Sequence, residues 1–466
     1  MNEAQYQHKL EELFVRFPSV QKTGFGDAYK PGLEHMEAFG ALLGHPNREF
    51  RTVHVAGTNG KGSVANMLAS ALAATGLKVG LYTSPHILDF RERMRIIDTG
   101  SDGPARMIGR EEVWDFICRW EDTFDRLDLS FFEITTGMAF RWFADEKVDL
   151  AVIEVGLGGR LDSTNIIVPE VCVITSIGLD HCAMLGDTRA AIAGEKAGIF
   201  KSGVPAVIGT RDDETAPVFE ARAEAVECPL YLADAGQGCC SADSSASAKS
   251  SAASLPASSS SSQTKCSAAS LPASFISEMD LQGEWQAENL RTVLTVLGVM
   301  GVDPDEEVMQ AIAHTARRMD FHGRWEMLRR KPDMLCDIGH NPPALARNFA
   351  QLEEYLAQGR YDRLVVVYGV MADKDLDGII PLMPRKAVWI AVAPDTPRSM
   401  KAEILFERLR ANLPGEVLFG GSVADGLALA LDLARSGSAD NTLIYIGGST
   451  FVVSEAVAAL QDGSAE

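Results

Sequence analysis

RTVHVAGTNGKGSVANMLASALAAT, residues 51–75, is the stretch that sets the architecture. An apolar run, a glycine-rich loop and an alanine-rich helical pattern follow one another without a break. Residues 51–56 are largely β-branched or apolar, as a strand buried on both faces should be. The loop is Gly57, Thr58, Asn59, Gly60, Lys61, Gly62 and Ser63. Where a strand runs through glycines into a helix, the backbone can wrap an anion, its N–H groups point inward, and the helix N-terminus favours negative charge. Lys61 would bring positive charge to the β- and γ-phosphates of a nucleotide, and the Ser63 hydroxyl would sit close to magnesium. The usual P-loop has Ser or Thr directly after the Lys. Here Gly62 intervenes, which leaves a plain glycine turn as the competing reading. The strand–loop–helix context favours the nucleotide.

Working outward, the same alternation recurs. KVGLYTS (78–84), VDLAVIEV (148–155), VCVITSI (171–177) and VPAVIG (204–209) read as buried strands, with TRAAIAGEKAGIF (188–200) among the helices. After residue 330 come MLCDIG (334–339), RLVVVYG (363–369), AVWIAV (387–392), EVLFG (416–420) and TLIYIGG (442–448). This βαβ rhythm predicts parallel sheets in an α/β protein. The stretch 283–330 reads as helical and joins the halves. We expect an N-terminal ATPase domain over 1–300 and a smaller C-terminal domain over 301–466. From about 234 to 277 the chain is mostly Ser and Ala, with SAASLPAS at 251–258 and again at 267–274. Such a segment has little to bury, so it reads as a disordered surface insertion.

Composition narrows the class. The formal net charge of −21 argues against general nucleic-acid binding. No run of about 18 apolar residues signals a membrane span, and the N-terminus has no leader pattern. The 8 cysteines form no Cys-x-x-Cys pair, and several lie in apolar runs, as buried thiols in a reducing compartment do. We therefore expect a cytoplasmic protein with no nucleic-acid or membrane partner.

The loop HVAGTNGKGS (54–63) resembles that of the Mur ligase superfamily, and within it the dihydrofolate synthase/folylpolyglutamate synthase family. TSPHI (83–87), SFFEITTGMAF (130–140), EVGLGGRLDSTN (154–165), ITSIGLDH (174–181), EKAGIFK (195–201), WQAENLRT (285–292), HGRWE (322–326) and DIGHNP (337–342) follow in that family's order. Each motif is weak alone, and the set is specific. The resemblance implies a P-loop ATPase domain with a mainly parallel sheet, a Rossmann-like second domain, and an active site between them.

It also implies roles. Ser84, Glu154 and His181 match the magnesium ligands. Glu154 ends a buried strand and suits a metal that prefers oxygen. A histidine at a strand end is by itself more often structural. Asn289, Arg324 and Asp337 match ATP-binding positions, Arg324 being suited to phosphate oxygens. Lys196 matches a lysine that is carbamylated in the family, which turns a cation that magnesium would repel into an anion. Leu161, Asp162 and Ser163, with Ser130 and Phe132, match the pterin-binding stretch, and YKPGLEHM (29–36) an early loop over it. His340 resembles the residue near the incoming glutamate and is a candidate base for its amine. Two departures stand out: the family commonly has Pro-Gly-Arg where this chain has His322-Gly323-Arg324, and Asp-Gly-Ala-His-Asn-Pro where it has DIGHNP.

The expected function is an ATP- and magnesium-dependent ligase. It would phosphorylate the carboxylate of dihydropteroate or a reduced folate and join the acyl phosphate to L-glutamate, acting as a monomer. Lys61, Arg324 and magnesium would stabilise the charge on the transferred phosphoryl group. The rivals are a monofunctional folylpolyglutamate synthase, a Mur-type ligase of cell-wall precursors, and a non-catalytic nucleotide-binding regulator.

Overall fold

The structure is a computed structural model that describes residues 1–17, 30, 32–98, 103–233, 273–436 and 441–461. Its described strands form two sheets. The first contains β1 (Arg51–Ala56), β2 (Val79–Tyr82), β3 (Met94–Ile97), β4 (Arg106–Met107), β5 (Leu150–Glu154), β6 (Val171–Ile174), β7 (Ala206–Ile208) and β8 (Leu230–Leu232). Their order is β4-β3-β2-β5-β1-β6-β7-β8. The run from β2 to β8 is parallel, while β3 and β4 turn back antiparallel at one edge. The second sheet contains β9 (Glu326–Arg329), β10 (Asp333–Asp337), β11 (Arg363–Tyr368), β12 (Val388–Val392), β13 (Val417–Gly421) and β14 (Thr442–Gly447). Its order is β13-β12-β11-β14-β10-β9, parallel except for β9.

Every continuously apolar run singled out above is a parallel strand with helices on both faces. β3, β4, β8 and β9 are short edge or near-edge strands, and three of them pair antiparallel. Their burial is partial or their length small, so no long apolar run betrays them.

The helix Lys61–Ala74 lies against the first sheet with Gly62 through Ala73 all buried. Its small, alanine-rich sequence combines high helix propensity with close approach on every side. It shares one core with the helix Gln286–Val299 and with Val302, Val308, Ile312 and Met319. The expected division at 300/301 thus falls within this core. The opposite face is covered by the aromatic-rich helices Arg110–Arg126 and Phe131–Asp145. The latter begins with a capping box between Ser130 and Glu133, a device that contributes about 1 kcal/mol. The second sheet has its own core on each face.

Two expectations need correction. Residues 283–330 are not helical throughout: after the helix Thr315–Met319 the chain makes a turn and enters β9. The Ser/Ala-rich segment read as disordered lies outside the described residues from 234 to 272. Its last part differs, because Ala273–Glu278 form a short helix. Phe275 and Ile276 pack against the first core, supplying the apolar surface that the Ser/Ala tract lacks.

Candidate active site

The parallel register places β1 beside both Glu154 and Thr175. Val55 pairs with Glu154 across β1–β5, and Ala56 with Ile174 across β1–β6. The phosphate loop therefore leaves the sheet between two strand ends, where α/β folds hold ligands. The segment 175–178 cradles it. Thr58 N–H donates to Ser176 O at 2.7 Å, Thr175 Oγ1 to Asn59 O at 2.6 Å, and Ser176 Oγ to Asn59 O at 3.0 Å. Gly57 has φ +149, and a Cβ there would lie 1.9 Å from Thr175 Oγ1. At Gly60, φ is +86 and a Cβ would lie 2.5 Å from Asn289 Oδ1. Lys61 folds over the loop and donates to the carbonyls of Gly57 and Thr58, both at 3.2 Å.

Glu154 is 3% exposed and accepts a hydrogen bond from Ser84 N–H at 3.1 Å. Burial pushes its carboxyl upward, while Lys61, the Ser84 N–H, Arg324 and Arg93 oppose that shift. His181 caps a short helix in a left-handed conformation. Burial pushes its imidazole down to about 4, against the pull of Asp180. Among the described residues no group of three or more His, Cys, Asp and Glu side chains is placed to hold a metal. A site of one carboxylate, one hydroxyl and one imidazole suits an ion that keeps much of its water, as magnesium does.

Lys196, on the helix Arg189–Ala197, is 5% exposed. Burial, followed by the charge of Lys61, lowers its amine to about 7, with Asp180 and Asp162 pulling the other way. It is no surface lysine. A buried amine that is half neutral near pH 7 is chemically suited to reaction with carbon dioxide.

Arg324 reaches the loop from the connector between the sheets. Its Nη2 lies 3.4 Å from where a Cβ on Gly62 would stand, and its guanidinium is 5.0 Å from the Phe321 ring. Asn289 packs on Gly60 and donates to Gln286 Oε1 at 2.8 Å. Asp337 faces inward. Its carboxylate accepts from Gly339 N–H, Asn348 Nδ2 and Trp325 N–H at 2.7, 2.7 and 3.0 Å. Its contacts fix the backbone next to Arg324.

A cavity of about 240 Å3 opens between the lobes beside this cluster. Ser84, Ser130, Phe132, Leu161, Asp162, Ser163, His181 and His340 all line it, together with Lys374 and Arg398. Phe131, Phe132 and Leu161 make an apolar bed on the first lobe. Not every matched residue there is free for a ligand. The Ser130 hydroxyl accepts the Glu133 N–H at 3.2 Å, and the Asp162 carboxylate accepts from Leu157 N–H at 2.8 Å and Thr164 N–H at 3.0 Å.

The sequence reading missed a hub. Asp180 accepts from Lys374 Nζ at 2.9 Å and Asn341 Nδ2 at 2.9 Å, and lies 3.6 Å from His340 Nε2 and 3.8 Å from His181 Nε2. Although burial acts to raise it, the hydrogen bond and charge interactions with His340, His181 and Lys374 hold its carboxyl far below the usual range. Asp180 and Asn341 stood inside GLDH and DIGHNP without a role. Lys374 lies in a loop with no motif.

Comparison with known proteins follows this geometry. The profile of the Mur ligase middle domain matches residues 130–297, and that of the Mur ligase glutamate ligase domain matches residues 323–449. A dihydrofolate synthase/folylpolyglutamate synthase of Bacillus subtilis is 31% identical over 442 residues, covering 91% of this chain and 94% of that protein. A probable bifunctional folylpolyglutamate synthase/dihydropteroate synthase of Haloferax volcanii is 35% identical over 435 residues, and the match spans 92% of this chain but 48% of that longer relative. So the chain spans about half the length of its haloarchaeal relatives. Among solved structures, Mycobacterium tuberculosis folylpolyglutamate synthase complexed with ADP superposes with a TM-score of 0.77 at 26% identity, covering 100% of this chain and 99% of that one. Escherichia coli FolC in complex with DHPP and ADP gives 0.75 at 26% identity, with 98% of each chain covered. Fold, phosphate loop and relatives agree: the chain belongs to the dihydrofolate synthase/folylpolyglutamate synthase family of the Mur ligases.

Proposed function

We propose that this protein is an ATP-dependent ligase that adds L-glutamate to dihydropteroate and to reduced folates. One observation carries the reading: a single inter-lobe cavity joins Ser84 and His181, beside the phosphate loop, to the bed of Phe132, Leu161 and Ser163. The comparisons support it, since relatives bear both activities in their names and solved neighbours hold ADP, DHPP, AMPPNP or L-glutamate.

The loop fits a triphosphate because its glycines leave room that side chains would fill. Gly57 to Ser63 would wrap the phosphates, with Lys61 and Arg324 supplying positive charge to the transferred phosphoryl group. Ser84, Glu154 and His181 would hold magnesium, which offsets phosphate charge when bound. Phosphorylation turns the poor leaving group of a carboxylate into phosphate, and the amine of glutamate then displaces it. The apolar bed would take the pterin, while Lys374 and Arg398 on the opposite wall, paired with Asp180 and Asp373, would meet the carboxylates of glutamate. His340, whose Nε2 lies 3.6 Å from Asp180, would be the candidate base for the ammonium proton. Carbamylated Lys196 would be an anion facing the metal. We place the whole as a cytoplasmic monomer. Among the described residues no helix is long and apolar enough to cross a membrane.

The test is ATP-dependent ligation of radiolabelled glutamate onto dihydropteroate and, separately, onto tetrahydrofolate, with Lys61→Ala as control. Product from both substrates supports the bifunctional reading. Product from tetrahydrofolate alone indicates a monofunctional folylpolyglutamate synthase, and product from a UDP-linked sugar peptide a cell-wall ligase. ATP binding without product from any of them would leave a nucleotide-binding regulator.

A further inference from the structure

The connector between the lobes runs from Asp320 to Glu326, and its backbone is demanding. Asp320 (φ 49), Gly323 (φ 72) and Trp325 (φ 51) all take the left-handed conformation. For a residue other than glycine this costs about 1–2 kcal/mol. Trp325 is held in place by its burial in the core of the second sheet and by its N–H on Asp337.

The rest of the turn is held differently. His322 Nδ1 lies 2.8 Å from Glu326 Oε1, and His322 Nε2 lies 3.0 Å from Asp320 Oδ1. The other oxygen of Glu326 accepts the Gly323 N–H at 2.7 Å. Both ring nitrogens therefore face carboxylates, and donating to both makes the ring an imidazolium. Asp320 and Glu326, opposed by partial burial, hold it at about 10. Arg95 on β3 is the further charge that acts on Asp320. Without a cation between them the two carboxylates would repel each other across the turn.

Arg324 projects from the middle of this ring of contacts. Its Nη1 donates to the carbonyl of neighbouring Gly323 at 3.3 Å. Its direction toward Gly62 thus depends on the backbone from 320 to 326.

We propose that His322 is a positioning residue: by bridging Asp320 and Glu326 it fixes the turn that aims Arg324 at the phosphate loop. The catalytic consequence rests on the ligase reading above, whereas the clamp itself does not.

The test uses the whole chain and His322→Ala. Hydrogen exchange at the Gly323 amide should rise about tenfold or more, and kcat for ligation should fall by a similar factor, with KM for ATP changed less than about threefold. Adding His322→Ala to Arg324→Ala should slow the reaction no further, because both changes remove one function. Glu326→Gln, which keeps the side chain's size, should loosen the same amide to a smaller extent and serves if the alanine variant does not fold. Wild-type exchange and kcat in both variants would overturn the proposal, and so would losses that add fully with Arg324→Ala. If the unaltered protein makes no product, the ligase reading fails, and the exchange measurement still decides the clamp.

Discussion

Asn59 of the phosphate loop and Asn341 of the second lobe exchange two side-chain hydrogen bonds, at 3.1 and 3.0 Å. Asn341 also donates to Asp180 at 2.9 Å and caps the helix Pro342–Ala357 through Ala344 N–H at 3.0 Å. The phosphate loop of the first lobe is therefore tied to the N-terminus of a helix in the second. Asp180, bonded to Lys374 as well, makes the same crossing from the first lobe to the second.

Replacing Asn59 by Ala removes its half of this contact and leaves the Asn341 cap intact. Two lost hydrogen bonds weaken closure by about 1–2 kcal/mol, a factor of about 5–30 in the closed population. We expect kcat/KM for ATP to fall in that range. Small-angle scattering should show a more open average shape. An unchanged kcat/KM would show that the pair has no part in closure.

Lys196→Ala should abolish ligation, and formate or acetate should restore part of it by returning an anion to the space. In the unaltered protein, carbon-13 NMR with labelled bicarbonate should show one carbamate signal that the variant lacks. No rescue and no signal would leave Lys196 as a buried amine without this role.

Gly57→Ala tests the cradle. With φ +149 and a neighbour at 1.9 Å, the new methyl group must displace Thr175 or the loop. We expect loss of binding of a fluorescent ATP analogue and a stability loss of about 1–3 kcal/mol, read by urea unfolding.

Stability should depend on pH in two limbs. Burial lowers His54 to about 3 and His181 to about 4, from an ordinary 6.5. Between those values the unfolded chain binds more protons, so stability falls as pH drops from 6.5 toward 3. His54→Asn should flatten this limb. His322 has the opposite sign. Raised to about 10, it stabilises fully below 6.5, and its contribution is lost as pH rises through 10. Urea unfolding should show the unaltered protein losing its advantage over His322→Gln across that window.

The chemistry was readable wherever it lay in a contiguous motif. HVAGTNGKGS fixed a loop between strand and helix because glycines, a lysine and the flanking periods are all local properties. The parallel strands were equally plain, since burial on both faces forces unbroken apolar runs such as VVVY and LIYI. Antiparallel β3 and β9 escaped, being only four residues long and interrupted by charged residues. The short helix Ala273–Glu278 escaped because Phe275 and Ile276 are ordered by a core built elsewhere in the chain.

The sequence by itself determined the α/β class, the phosphate loop and the types of residue at the site. Tertiary structure alone decided which of them are free to act. It buried Lys196, engaged Asp337 and Asp162 with backbone N–H groups, and gathered Asp180, Asn341, Lys374 and His340 from distant segments. The physical reason is that proton affinity and hydrogen-bond capacity depend on desolvation and on neighbours, and those neighbours are set by how two lobes pack rather than by distance along the chain.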